Sequence, residues 1–309
     1  MEFREQALKC LGRFPSRCEP NAAAVAGEDR GTHTLQTLEY DVEPGERVRA
    51  LLLLPKGARG GLPAIVASHQ HNGEYWLGKS EPAGLSANRM YHYGLDLCLR
   101  GYAVLCPDHL CFEDRRPPEY RRMENDALQH GNYERFTFTR VLAEGSTLQA
   151  KYLSDLTVAV DVLASLDAVD GERIGAIGHS LGGQETLWLA WHDSRIKAAV
   201  ASCGFSQLRA ILRDRINHNF AMYAPGLLAH GDIADVLCGV APRAFFMANG
   251  DGDRIFPVDG VREIADAAAA HYGAMGVPER FQSVVFEGGH SFPDGVKEQA
   301  YGFLDRYLK

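Results

Sequence analysis

The chain has 309 residues, 46% of them hydrophobic, and a formal net charge of −8. That length allows one large α/β domain with insertions or two small domains, and the composition supports a sizeable core. The acidic balance, with no Lys/Arg block, argues against nucleic acid or an anionic membrane as the main partner.

The start, Met1-Glu2-Phe3-Arg4-Glu5-Gln6, is charged and has no apolar stretch, so no signal peptide is expected. Residues 2–12 read as an amphipathic helix that ends before Pro15. Residues 34–40 and 48–54 read as antiparallel strands around the turn Glu43-Pro44-Gly45-Glu46. Within the second, Leu51 to Leu54 is the longest aliphatic run, far too short to cross a bilayer. Residues 63–68 form a continuous apolar strand of the fully buried kind. A helix over 89–100 and a buried strand over 101–108 come next. Strand and helix then alternate: helix 147–167, strand 173–178, helix 181–192, strands 197–203 and 244–250, helix 258–272, strand 281–287, helix 294–307. Alternation of this kind predicts a mostly parallel sheet with helices on both faces, within one domain spanning 1–309. Two irregular stretches, 109–146 and 204–243, leave from the C-terminal ends of strands. Ligands bind at that edge, so these stretches read as cap-like insertions over a site. Seven cysteines, an odd number, include Cys98 and Cys106 inside apolar segments. This reads as a reducing, cytoplasmic compartment without disulfides.

Gly178-His179-Ser180-Leu181-Gly182-Gly183 lies between the strand ending near 178 and the helix from 181. Gly-x-Ser-x-Gly in that setting is a nucleophile elbow. The turn is tight enough to need small flanking residues, and it holds the Ser hydroxyl clear of the backbone. The following helix points its N–H groups at a developing oxyanion. A serine needs a base to take its proton, and the base needs an orienting acid. The acid is expected after strand 244–250, where Asp251 and Asp253 compete, and Asp253 is the choice. The histidine is expected after strand 281–287, and Gly288-Gly289-His290 supplies it. The order Ser180, Asp253, His290 is that of the α/β-hydrolase arrangement. The oxyanion hole would take the N–H of Leu181 and a second N–H, from Gln70 or His71, in the loop after strand 63–68.

His69 and His71 also permit a metal reading, with Asp108 and His109 on the adjacent strand. No helical His/Glu ligand motif accompanies them, and no metal or other cofactor is expected.

The segments His69–Gly73, Gly78–Gly84, Arg100–Asp108, Arg173–Gly183, Gly250–Pro257 and Gly289-His290 resemble the α/β-hydrolase superfamily. Within it they are similar to the dienelactone-hydrolase-like and acetyl xylan esterase-like branch. The resemblance runs from about residue 34 to the end. It implies an eight-stranded sheet and hydrolysis through an acyl-enzyme. Position 180 is Ser where dienelactone hydrolases carry Cys, and His69-Gln70-His71 stands where many relatives have His-Gly.

Other residues near the entrance carry weaker expectations. Lys79 and Glu81 read as a solvated ion pair. Arg115 and Arg116 either bind a substrate carboxylate or pair with Glu113 and Asp114. His69, Tyr75, Trp76, Arg115 and Tyr223 are candidate substrate contacts, with Phe112 nearby, and Cys203 reads as packing. The expected activity is serine esterase action on a small-molecule ester. A serine peptidase, a metallohydrolase and a non-catalytic binding protein are the alternatives. Association of the chain with itself is compatible with the sequence.

Overall fold

The computed structural model describes residues 2–121 and 129–309. Its strands are β1 (Ala23–Asp29), β2 (His33–Glu43), β3 (Glu46–Pro55), β4 (Leu62–Ser68), β5 (Ala103–Pro107), β6 (Val169–His179), β7 (Ile196–Ser202), β8 (Ala244–Gly250) and β9 (Phe281–Phe286). They form one sheet in the order β1-β2-β3-β5-β4-β6-β7-β8-β9. β1, β2, β3 and β5 pair antiparallel, and from β5 to β9 the sheet is parallel. The expected eight strands are thus nine among the described residues. The added strand, β1, reads AAVAGED and is exposed along its whole length, so no apolar face marks it in the sequence. Main-chain pairing to β2 alone holds it at the edge.

The helices are α1 (Glu2–Leu11), α2 (Tyr93–Leu99), α3 (Pro118–Arg121), α4 (Asn132–Ala143), α5 (Leu148–Ser165), α6 (Leu181–His192), α7 (Leu208–Arg213), α8 (Ile233–Cys238), α9 (Val258–Ala274) and α10 (Asp294–Leu308). Side chains on the buried strands alternate between two cores. Ala64, Val66 and Leu105 face one core with α5, α6, α8 and α9. Ile65, Ala67 and Val104 face the other, with α2 and α10. This period of two explains why the central strands are apolar throughout: both faces are covered. No helix among the described residues is long and apolar enough to cross a membrane.

The chain runs from β4 through α2 to β5, then through α5 back to β6 on the other side of β4. The order therefore reverses between β4 and β6, where open α/β sheets bind ligands. The stretches 109–146 and 204–243 rise at this edge. They are less irregular than their composition suggests: the first carries α3 and α4, the second α7 and α8. Residues 122–128 of the first lie outside the described residues. The two stretches meet where the rings of Phe138 and Phe220 stack at 4.9 Å. A small apolar cluster beneath them joins Tyr75, Phe112, Val141, Tyr152 and Leu181.

Candidate active site

Ser180 sits between β6 and α6 at φ 56°, ψ −120°, a conformation that side-chain-bearing residues rarely adopt. The surroundings impose it. A Cβ on Gly178 would lie 2.2 Å from the Gly182 carbonyl, and one on Gly182 would lie 2.1 Å from the Ser68 oxygen. The elbow is thus pressed directly onto the end of β4. That contact sets the start of α6 against the carbonyl oxygens of Ser68 and His69. An N–H in the first turn of a helix has no intrahelical acceptor.

Two further strand ends converge by the same close approach. A Cβ on Gly250 would lie 2.3 Å from the Gly289 oxygen, so the turns after β8 and β9 touch backbone to backbone. Gly288 takes φ 144° to allow it. His290 Nδ1 then lies 2.7 Å from Asp253 Oδ2, whose side chain is fully buried. Asp253 Oδ1 accepts the Ile255 N–H at 3.0 Å. Asp251 does a different job: its Oδ1 accepts the Gly288 N–H at 3.0 Å and holds the β9 turn. His290 is flanked by the rings of His179 at 4.7 Å and Phe256 at 5.7 Å. His179, the unassigned residue of the elbow motif, is fully buried, and its Nδ1 lies 3.0 Å from Ser202 Oγ. Burial, with His290 nearby, drives its pKa well below the usual histidine range, so it is a neutral wall for the His290 ring.

Ser180 and His290 line a cleft of about 410 Å³, together with His71, Tyr75, Glu134 and His218. His71 Nδ1 accepts the Gly73 N–H at 3.0 Å, so its proton is on Nε2, which lies 2.9 Å from Glu134 Oε2. The Tyr75 hydroxyl donates to the same oxygen at 2.8 Å. Gln70 donates from Nε2 to Glu81 at 2.8 Å, which orients the loop from the other side. Burial pushes the Glu81 pKa up to about 7.

Several expectations about surface residues do not hold. Lys79 and Glu81 are 3% and 2% exposed, not a solvated pair. Lys79 Nζ reaches Asp108 at 2.8 Å, Glu113 at 2.6 Å and Asp114 at 2.9 Å. Burial works against its charge, but Asp108 and Glu113 outweigh that and hold its pKa above the usual lysine range. Arg115 stands away from the cleft of Ser180 and His290. It is buried, donates to Asp155 at 2.6 Å and to Glu46, and does not line the cleft. Its expected partners, Glu113 and Asp114, take Lys79 instead. His69 is fully buried off the cleft, with Nδ1 2.7 Å from the Gln70 carbonyl and Nε2 accepting the His109 N–H at 3.1 Å. Burial lowers its pKa to about 4. Both its nitrogens are engaged, so it and His71 do not form a ligand pair. Among the described residues, the triplets with metal-ligand spacing are Cys203/Asp253/His290 and Asp108/Glu113/Asp114, and neither contains them. Trp76 is 59% exposed and outside the cleft lining. Tyr223 is also outside it, its hydroxyl accepting the His218 N–H at 3.2 Å. Tyr75 does line the cleft.

Glu134 and His218 were not legible as site residues, since both lie in stretches without clear periodicity. The only signal was position: each stretch leaves the C-terminal edge of the sheet.

The sheet order and the strand-edge position of the elbow define the fold, that of the α/β hydrolases. The model of the Prolyl oligopeptidase family matches residues 145–232. Over 99% of both chains, the sequence is 29% identical to the protein named "Putative hydrolase YtaP" of Bacillus subtilis (strain 168). The glucuronoyl esterase from Solibacter usitatus superposes with a TM-score of 0.71 at 17% identity, over 99% of this chain and 92% of that one. Acetyl xylan esterase 1 from Thermoanaerobacterium sp. JW/SL YS485 gives 0.66 at 16% identity, over 100% and 94%. The chain thus shares the α/β-hydrolase fold of these structures.

Proposed function

We propose that the protein is a serine esterase that cleaves a carboxylic ester through an acyl-enzyme. The observation that carries this is the His290–Asp253 hydrogen bond on the same cleft as a Ser180 held in strained backbone. With Nδ1–H given to Asp253, His290 Nε2 is the free basic nitrogen. It takes the Ser180 proton as Oγ attacks the carbonyl, then gives it to the leaving alcohol. Asp253 stays ionised and stabilises the imidazolium. The N–H of Leu181 and one from Gln70 or His71 receive the oxyanion. Water, activated by His290, then releases the acid. The stretches 109–146 and 204–243 act as caps that shape the acyl and alcohol pockets. The seven cysteines are all free, which supports a reducing, cytoplasmic setting.

Hydrolysis of p-nitrophenyl acetate by wild type and Ser180→Ala tests this, with a fluorophosphonate label mapped by mass spectrometry. The variant should lose at least about 10³-fold in kcat, and the label should sit on Ser180. Full activity in the variant would sink the serine mechanism. The match to the Prolyl oligopeptidase family favours a second reading, serine peptidase action on the same triad. Turnover of a dipeptide anilide at a kcat/KM matching that of the ester would establish it.

A further inference from the structure

Two residues that line the cleft each carry a buried polar atom with no partner among the described residues: Glu134 Oε1 and His218 Nε2. They come from different cap stretches. The Glu134 side chain is only 2% exposed. Its Oε2 accepts from both His71 and Tyr75, which fixes the carboxylate and leaves Oε1 as a spare acceptor. His218 is oriented from the other side. Its Nδ1 accepts the Asn219 N–H at 3.1 Å, so the ring proton is on Nε2. Its ring packs on Phe256 at 4.6 Å, and burial lowers its pKa to about 4, so Nε2–H persists as a neutral donor. Asn219 Nδ2 donates to Gln184 Oε1 on α6 at 3.1 Å, which ties this loop to the nucleophile helix.

One wall thus offers an acceptor and the other a donor. Buried groups of this kind are costly unless something answers them. An ammonium would answer Glu134 but confront the His218 N–H, and it would meet Arg135, which also lines the cleft. A carboxylate would answer His218 but oppose Glu134. A hydroxyl both donates and accepts. We infer that Glu134 and His218 form a hydroxyl-recognition subsite, which selects esters bearing free hydroxyls next to the scissile bond. This rests on the esterase reading above.

The test compares glyceryl 1-monoacetate with propyl acetate, of similar length but without hydroxyls, by acetate release. Wild type should favour the monoacetate by at least about tenfold in kcat/KM, because a site built to bond a hydroxyl rejects the analogue lacking it. Glu134→Gln and His218→Phe, each checked for folding by thermal melting, should each collapse that ratio. If one variant does not fold, the other decides. A ratio that holds in a folded variant, or equal loss on both esters, would overturn the subsite. So would a Glu134→Gln loss confined to alanine ethyl ester, which would assign the acceptor to an ammonium. No turnover of any ester, with Ser180 unlabelled, would instead overturn the esterase reading and the subsite with it.

Discussion

Two aspartates two residues apart do unrelated work. Asp253 meets the His290 ring, while Asp251 holds the Gly288 N–H of the turn that delivers that ring. Under the esterase reading, Asp253→Asn leaves the geometry but favours the wrong tautomer of His290, and kcat on p-nitrophenyl acetate should fall about 10⁴-fold. Asp251→Asn should cost far less, since it loosens a turn and leaves the His290 partner in place. Equal losses in the two variants would contradict this division. Ser180 itself is strained only because Gly178 and Gly182 allow backbone to approach backbone. In Gly182→Ala the new methyl group meets the Ser68 oxygen, which belongs to the sheet and cannot swing away. Overpacking of this kind costs about 1–3 kcal/mol, seen as a lowered Tm, and under the esterase reading should also displace the start of α6 from the end of β4 and reduce kcat.

Between elements, a buried amide chain links α5, α6 and the stretch 204–243. Gln149 Nε2 donates to Glu185 at 2.7 Å, Gln184 Nε2 donates to Gln149 at 2.8 Å, and Asn219 donates to Gln184. Glu185 is fully buried, and burial drives its pKa well above the usual carboxylate range. The folded state therefore keeps its proton where the unfolded chain has released it. That contribution to stability is complete below about pH 4.5 and is lost as pH rises toward the folded pKa. Glu185→Gln, neutral at every pH, removes the loss. Its Tm relative to wild type should rise between pH 5 and pH 8, by up to about 1.4 kcal/mol per pH unit in stability. A difference that stays constant across that range would show that Glu185 is ionised in the fold.

At the scale of the whole molecule, the loop after β4 and the start of the 109–146 stretch are pinned by one cation. Lys79 bridges Asp108 at the end of β5 to Glu113 and Asp114. Glu113 in turn accepts the N–H groups of Gly78 and Ser80. Removing the cation leaves a buried carboxylate unpaired, so Lys79→Met should lose about 3–5 kcal/mol by denaturant unfolding. A loss below 1 kcal/mol would return Lys79 to the status of a surface charge. The alternating strands and helices, the elbow and the order of Ser180, Asp253 and His290 were all legible in the sequence. They rest on local periodicity and turn chemistry, which neighbouring residues determine. The partners of Lys79 and Arg115 were not legible, nor was the edge strand β1, nor the placing of Glu134 and His218 on the cleft. Each depends on groups brought together from distant parts of the chain, where burial and hydrogen-bond geometry, and not local pattern, choose the partner. By itself the sequence determined the scaffold and the order in which Ser180, Asp253 and His290 follow their strands; only the tertiary structure decided what surrounds them, because desolvation and pairing exist only once the chain has folded.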